Sequence, residues 1–242
     1  MTEGKVIVLV SADAEWTAVR SLYPNVTYSL SPFGEWLCHE VTVDFDSIPI
    51  VFFQGGWGKI SAAASAQHVI DRWHPALIIN LGTCGGFKGH IEKGMFIVAT
   101  DTVVYDIVEQ MLDPTEAINF YHTRLDLTWM QQPVTDPEFR GLLLSADRDL
   151  IIDDIADLRS KYDAVAADWE SGAIAWVATR NNVTCVIVRG VTDLVGPDGG
   201  DAYSGHADVF VENSKDVMHR LNGFLPNLLS QWLKLQKSQA VP

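Results

Sequence analysis

The stretch Ala76-Leu77-Ile78-Ile79-Asn80-Leu81-Gly82-Thr83-Cys84-Gly85-Gly86 decides the fold. Its first half is apolar at every position, and its second half is a run of glycines around Thr83. A short run with no polar alternation predicts a strand covered on both faces, the pattern of a parallel sheet. The glycines allow backbone N–H groups to approach a ligand closely where that strand ends. Val6–Val10, Phe96–Ala99 and Cys185–Val188 have the same strand character. Val41–Val43 and Ile48–Phe53 read as an added antiparallel pair turning near Asp46-Ser47.

Helical spacing lies between these runs. Lys59–Trp73 sets Ile60, Ala63, Ala66, Ile70 and Trp73 on one stripe. Trp169–Arg180 does the same with Trp169, Ala173, Trp176 and Val177, and Asp168 is placed to cap it. Val209–Leu235 is a third such stretch, with a kink expected at Gly223–Pro226. The segment from Asp106 to Pro137 is polar, irregular and spiked with aromatics, and reads as loop-rich. Strands alternating with helices predict an α/β fold. At 242 residues, with no repeat or linker, the chain is expected to form a single domain over 1–242.

Composition excludes several functions. Seventeen Lys and Arg against 31 Asp and Glu give a formal charge of −14, which repels nucleic acid and anionic membranes. The three cysteines, Cys38, Cys84 and Cys185, are odd in number, widely spaced and lack a CxxC pair. That argues against a disulfide framework or a zinc site and for reduced thiols in the cytoplasm. Met1-Thr2-Glu3-Gly4-Lys5 runs directly into a short apolar strand, unlike a secretory leader. No apolar run approaches the length of a membrane span. Neither a G-x-G-x-x-G fingerprint nor a Walker A loop occurs, and Gly58-Lys59 is followed by Ile60.

In a doubly covered sheet, ligands bind at the carboxyl ends of the strands. That rule selects Ser11–Glu15, Gly82–Gly86 and Thr192-Asp193. Glu15 and Glu170 each also suit a helix's first turn, and Asp193 suits a cap or turn. Singly these are weak signals; their shared placement raises them.

Five patches carry a resemblance: Glu15; Gly55-Gly56-Trp57-Gly58-Lys59; Asn80 to Gly86; Asp168-Trp169-Glu170-Ser171-Gly172-Ala173; and Arg189-Gly190-Val191-Thr192-Asp193. In order and spacing this set resembles the purine nucleoside phosphorylase/uridine phosphorylase superfamily, and within it the 5′-methylthioadenosine/S-adenosylhomocysteine nucleosidases. The resemblance implies a three-layer α/β/α sandwich around a mixed, mostly parallel, partly barrel-like twisted sheet. It implies a purine nucleosidase that hydrolyses the N-glycosidic bond, needs no cofactor or metal, and works as a homodimer. By resemblance, Asp193 is the general acid to purine N7 and Glu15 steers and deprotonates the attacking water. Glu170 binds the ribose hydroxyls and Arg189 is the cation beside them. Thr83, Gly82 and Gly85 line the water and ribose pocket beside Thr192, and Trp169 replaces a ribose-contacting Met.

The chemistry needs this set. A purine leaves badly as an anion, so N7 must be protonated by a carboxylic acid of raised pKa, while an ionised carboxylate holds water opposite. Family phosphorylases carry an Arg three residues before the Thr or Ser of the glycine loop; here that residue is Asn80. Phosphorolysis remains the alternative because Gly-Thr-Cys-Gly is phosphorylase-like, and a non-catalytic binding or storage relative is a third reading. Ser145-Ala146-Asp147-Arg148-Asp149-Leu150 resembles the family's base-binding segment, with Asp149 in place of the stacking aromatic and Leu150 as the backbone contact. Asp149 either accepts hydrogen bonds from purine N–H groups or faces water, so the base is open. The 5′ substituent is open too.

Overall fold

The computed structural model describes residues 5–134, 137–203 and 205–239. The leader reading rests on Met1–Gly4, and these residues lie outside the described ones, as do two of the Asp106–Pro137 segment. The order of elements is β1 (Val6–Val10), α1 (Asp13–Leu22), β2 (Ser29–Leu30), β3 (Glu35–Val43), β4 (Asp46–Gln54), α2 (Gly58–Trp73), β5 (Leu77–Phe87) and β6 (Phe96–Val104). It continues with α3 (Pro114–Phe120), β7 (His122–Arg124), β8 (Glu138–Ser145), α4 (Ile155–Tyr162), β9 (Ala166–Asp168), α5 (Ser171–Arg180), β10 (Thr184–Gly196), β11 (Gly199–Gly200) and α6 (Ala207–Gln239).

The strands form one mixed sheet in the order β11-β10-β6-β8-β9-β5-β1-β4-β3-β2, with β7 paired to β6. A further parallel pairing joins β10 to β5. It closes β10, β6, β8, β9 and β5 into a ring, from which β1, β4, β3 and β2 extend as an open sheet. The alternation within β1 explains the layers. Val6, Val8 and Val10 pack with Trp16 of α1 and Leu221, Leu225 and Leu228 of α6. Ile7 and Leu9 point the other way, against Ala62 and Val69 of α2 and Ile174 and Val177 of α5. Strands buried on both faces must be apolar at every position, hence the runs seen in the sequence. The result is the α/β/α sandwich that was expected, with part of its sheet rolled shut.

Several boundaries differ from expectation. The β3–β4 hairpin turns at Asp44-Phe45, because Val43 pairs with Asp46 and Asp44 takes the left-handed conformation (φ 54°). Helix α5 starts at Ser171, after Trp169 and Glu170. Helix α6 runs on through Pro226 without a break. The segment thought to be loop-rich contains α3 and β7. Most consequentially, β5 and β10 do not end at Asn80 and Arg189 but continue to Phe87 and Gly196. Gly82–Gly86 and Thr192-Asp193 are therefore strand positions inside the closed ring rather than loops. No described helix is long and apolar enough to cross a membrane.

Candidate active site

The two long parallel strands β5 and β10 set the site. Arg189 pairs with Gly82, Gly190 with Thr83 and Asp193 with Gly85, with a register shift between Val191 and Asp193. Such a bulge re-aims side chains. It leaves Thr192 unpaired in the ladder, where its hydroxyl donates to Asp193 Oδ1 (2.7 Å). Asp193 is buried. Burial raises its pKa, against the Thr192 hydrogen bond, and the charges of Asp201 and Asp149 raise it further. A carboxyl held in this way keeps its proton longer than a free one.

Glu15 sits in the first turn of α1, yet it is buried. Its Oε1 accepts from the Thr83 backbone N–H (2.6 Å) and hydroxyl (2.7 Å), and its Oε2 accepts from the Ala12 N–H (3.0 Å). The glutamate thus joins the start of its own helix to the glycine run of β5. Arg189, also buried, donates through Nε to Asp168 Oδ2 (2.6 Å) and through Nη2 to Asn80 Oδ1 (2.7 Å). Asn80 in turn donates to the Leu9 carbonyl (3.0 Å). Burial works against the Arg189 charge, but Asp168, Glu15 and Glu170 outweigh it and its pKa rises. Its Nη1 has no protein partner among the described residues. A Cβ at Gly82 would lie 2.5 Å from that nitrogen and 2.8 Å from Glu15 Oε1. Gly82 therefore keeps open a small gap between a free guanidinium donor and a carboxylate oxygen.

Glu170 accepts from the Gly58 N–H (3.0 Å) at the start of α2. Its burial, then Asp168 and Glu15, push its pKa up to about 8 against Arg189 and the Gly58 N–H. Asp168 serves three elements. Besides Arg189 it accepts from the Ser171 N–H and hydroxyl at the start of α5, and from the Ser145 hydroxyl of β8.

These groups surround one cavity of about 460 Å³, large enough for a nucleoside. Of the residues expected from the sequence, Glu15, Thr83, Gly85, Asp149, Leu150, Trp169, Glu170, Thr192 and Asp193 line it. Gly82 and Arg189 do not; they lie behind the carboxylates. Asp149 is exposed and lines this cavity. Ala12, Asp13 and Ala14, within the selected Ser11–Glu15, line the cavity too. The sequence reading gave no role to Arg148, which lies in a quoted segment, and missed Tyr203 and Phe210 from the C-terminal part. It also gave no role to Trp57, although Trp57 lies within a quoted patch. Tyr203 donates to the Leu150 carbonyl (2.9 Å), and nothing local in the sequence announces that contact. Arg148, the one cation of the lining among the described residues, pairs with Asp154.

A family model described as the phosphorylase superfamily matches residues 5–230. The 5′-methylthioadenosine/S-adenosylhomocysteine nucleosidase of Bacillus velezensis is 23% identical over 224 residues, covering 87% of this chain and 93% of that one. The enzyme of the same name from Maridesulfovibrio salexigens is 26% identical over 183 residues, covering 70% and 78%. Among solved structures, the Campylobacter jejuni nucleosidase superposes with a TM-score of 0.72 at 17% identity, covering 93% of this chain and 99% of that one. The futalosine hydrolase of Helicobacter pylori does so with a TM-score of 0.73 at 16% identity, covering 93% and 98%. At these identities the structural likeness concerns the fold.

Proposed function

The chain belongs to the phosphorylase superfamily, and from that premise we propose that it is a purine nucleosidase of the 5′-methylthioadenosine/S-adenosylhomocysteine type, hydrolysing the N-glycosidic bond to free base and sugar. The observation that carries this reading is one cavity holding Glu15, Glu170 and Asp193 in three different environments. Asp193, protonated, gives its proton to N7 as the C1′–N9 bond breaks and the bonding electrons leave with the purine. Glu170 engages the ribose hydroxyls next to the positive C1′. Water enters on the opposite face, and Glu15 takes its proton as the C1′–O bond forms. Two carboxyl groups with divergent environments supply acid and base without a cofactor.

Water is favoured over phosphate as nucleophile by charge. Besides Asp193 and Glu170, whose raised pKa values favour their neutral forms, Asp13, Glu15, Asp149 and Asp168 face the cavity. Arg189 has already committed two of its donors to Asp168 and Asn80, and Arg148 is paired with Asp154. A phosphate dianion would meet repulsion and at most one free guanidinium donor. In the test, the protein is incubated with adenosine, inosine, guanosine and 5′-methylthioadenosine, with and without phosphate. We expect base and free sugar at equal rates in both conditions, and a loss of about 10²–10⁴ in turnover for Asp193→Asn. Strict phosphate dependence with sugar 1-phosphate as product would make the protein a phosphorylase. Ligand binding with no product in either condition would make it a binding relative.

The proposal extends to a homodimer acting in the cytoplasm. The exposed apolar side chains Ile60, Val108, Met111 and Leu112 support the dimer. The free thiols and acidic surface support the compartment.

A further inference from the structure

We propose that Asp201, with Lys93 as its counter-charge, is a positioning residue for the reaction: it fixes the peptide beyond Asp193 and so aims the Asp193 carboxyl at the leaving base. This rests on the nucleosidase reading for the role of Asp193. The need for such a residue comes from the bulge in β10. The ladder to β5 pairs Val191 with Cys84 and Asp193 with Gly85, and skips Thr192. A bulge disrupts the ladder locally, so the aim of Asp193 must be fixed from outside it.

Three tethers bracket the bulge. Before it, the Val191 N–H donates to the Met95 carbonyl (3.0 Å), and the Val191 carbonyl accepts from the Gly94 N–H (2.8 Å). At it, Asn213 of α6 donates through Nδ2 to the Thr192 carbonyl (2.7 Å). Beyond it, the Leu194 N–H donates to Asp201 Oδ2 (3.3 Å), and the Leu194 carbonyl accepts from the Asp201 N–H (3.0 Å). The Leu194 N–H belongs to the peptide that leaves the Asp193 Cα, so the Asp201 side chain grips the backbone next to the acid. The β10–β11 hairpin brings Asp201 there, with Val195 paired to Gly200 and Gly196 to Gly199. Of the three tethers, this one is made by an ionisable side chain.

Lys93 lies just before Gly94, in the link that also tethers Val191, and its Nζ is 3.0 Å from Asp201 Oδ2. The two side chains are 50% and 35% exposed, so the pair contributes little to stability. Its effect falls on Asp193 instead. The titratable and charged groups facing Asp193 are Cys84 of β5, Lys93 between β5 and β6, Asp149 after β8, and Asp201 and Tyr203 after β11. Burial pushes the Cys84 thiol and the Tyr203 hydroxyl up, so neither ionises near neutral pH. Burial also raises the Asp193 pKa most; Asp201 and Asp149 raise it further, while the Thr192 hydroxyl and Lys93 lower it. Lys93 and Asp201 therefore act on the acid with opposite sign.

The experiment uses the full chain and the riboside that the substrate test selects. The acid acts while protonated, so kcat/KM should fall as pH rises through its pKa. Lys93→Met leaves Asp201 unopposed and should move that fall to higher pH. Asp201→Asn leaves Lys93 unopposed and should move it to lower pH, and the double variant should lie between them. Below the fall, Asp201→Asn keeps an oxygen for the Leu194 N–H and should retain most of kcat. Asp201→Ala lacks that acceptor and should lose about ten- to a hundredfold in kcat with little change in KM. Carbon NMR of aspartate-labelled protein, with Asp193 identified by the signal missing from Asp193→Asn, should show the same order of titration with no reaction involved. Unmoved limbs, or limbs that move the same way in both single variants, overturn the proposal. So do equal kcat losses for Asp201→Asn and Asp201→Ala, or losses confined to KM. If Asp201→Ala does not fold, the order of the other three variants decides. If no riboside releases base, the nucleosidase reading fails by itself, and the NMR order alone upholds or overturns the coupling of Asp201 to Asp193.

Discussion

Gly82 shows how much one missing side chain can do. Arg189 Nη1 and Glu15 Oε1 both lie within 3 Å of where its Cβ would be. Neither can retreat freely: Asp168 and Asn80 hold the guanidinium, and Thr83 holds the carboxylate. Gly82→Ala is therefore expected to displace one of them, at about 1–3 kcal/mol of stability, and to fill the gap between Arg189 Nη1 and Glu15 Oε1. Urea unfolding and turnover measure the two effects; a variant with wild-type kcat would mean the gap has no part in the reaction. Asp149 acts at the same scale through charge. It is one of the groups raising the pKa of Asp193. As the proposed general acid, Asp193 works only while protonated, so activity should fall as pH rises through that pKa. Removing the neighbouring charge lowers the pKa, and Asp149→Asn should shift the alkaline limb of the kcat/KM profile to lower pH. An unmoved limb would separate Asp149 from Asp193.

At the scale of elements, the sequence reveals where strands begin more readily than where they end. The apolar runs of β5 and β10 are broken at Asn80 and Arg189 because beyond them the cavity-lining Thr83, Gly85, Thr192 and Asp193 are interspersed with core residues such as Leu81 and Val191. Glycine, threonine and aspartate then replace valine and isoleucine, and a reading based on apolar runs stops with them. The motif patches were legible because their order and spacing are specific. Tyr203 and Phe210 were not, because only the folded topology brings them to the cavity. Asp168 was half legible. The N-cap position is Glu170 rather than Asp168 as expected, but Asp168 still caps the helix start locally by accepting from the Ser171 N–H. Its pairing with Arg189, 21 residues away, needs the closed ring. That second role predicts the larger effect. Asp168→Ala removes the cap and leaves a buried guanidinium with its Nε unpaired, which should cost about 3–5 kcal/mol, well above the ~1 kcal/mol of a lost cap alone. Asp168→Asn retains a capping oxygen and should lie between the two. Chemical denaturation measures both, and a loss near 1 kcal/mol for Asp168→Ala would reduce Asp168 to a cap.

For the whole molecule, charge and apolar surface oppose each other. A formal charge of −14 makes two copies repel at long range. Met111 is nevertheless 87% exposed, with Val108 and Leu112 beside it in sequence and Ile60 at the start of α2. Lys59 ties these two regions together through its ion pair with Asp106. A shared apolar surface near the segment that carries Trp57 and Gly58 would couple subunit contact to the wall of the cavity. If such a surface forms the proposed dimer, association should tighten with salt, because screening weakens the like-charge repulsion and leaves the apolar contact intact. An interface held by ion pairs would loosen instead. Sedimentation at low and at physiological ionic strength distinguishes the two, and Met111→Glu with Leu112→Glu should give a folded monomer. That monomer should show a raised KM, since the wall around Glu170 loses its support. A double variant that still sediments as a dimer would place the subunit contact elsewhere on the surface.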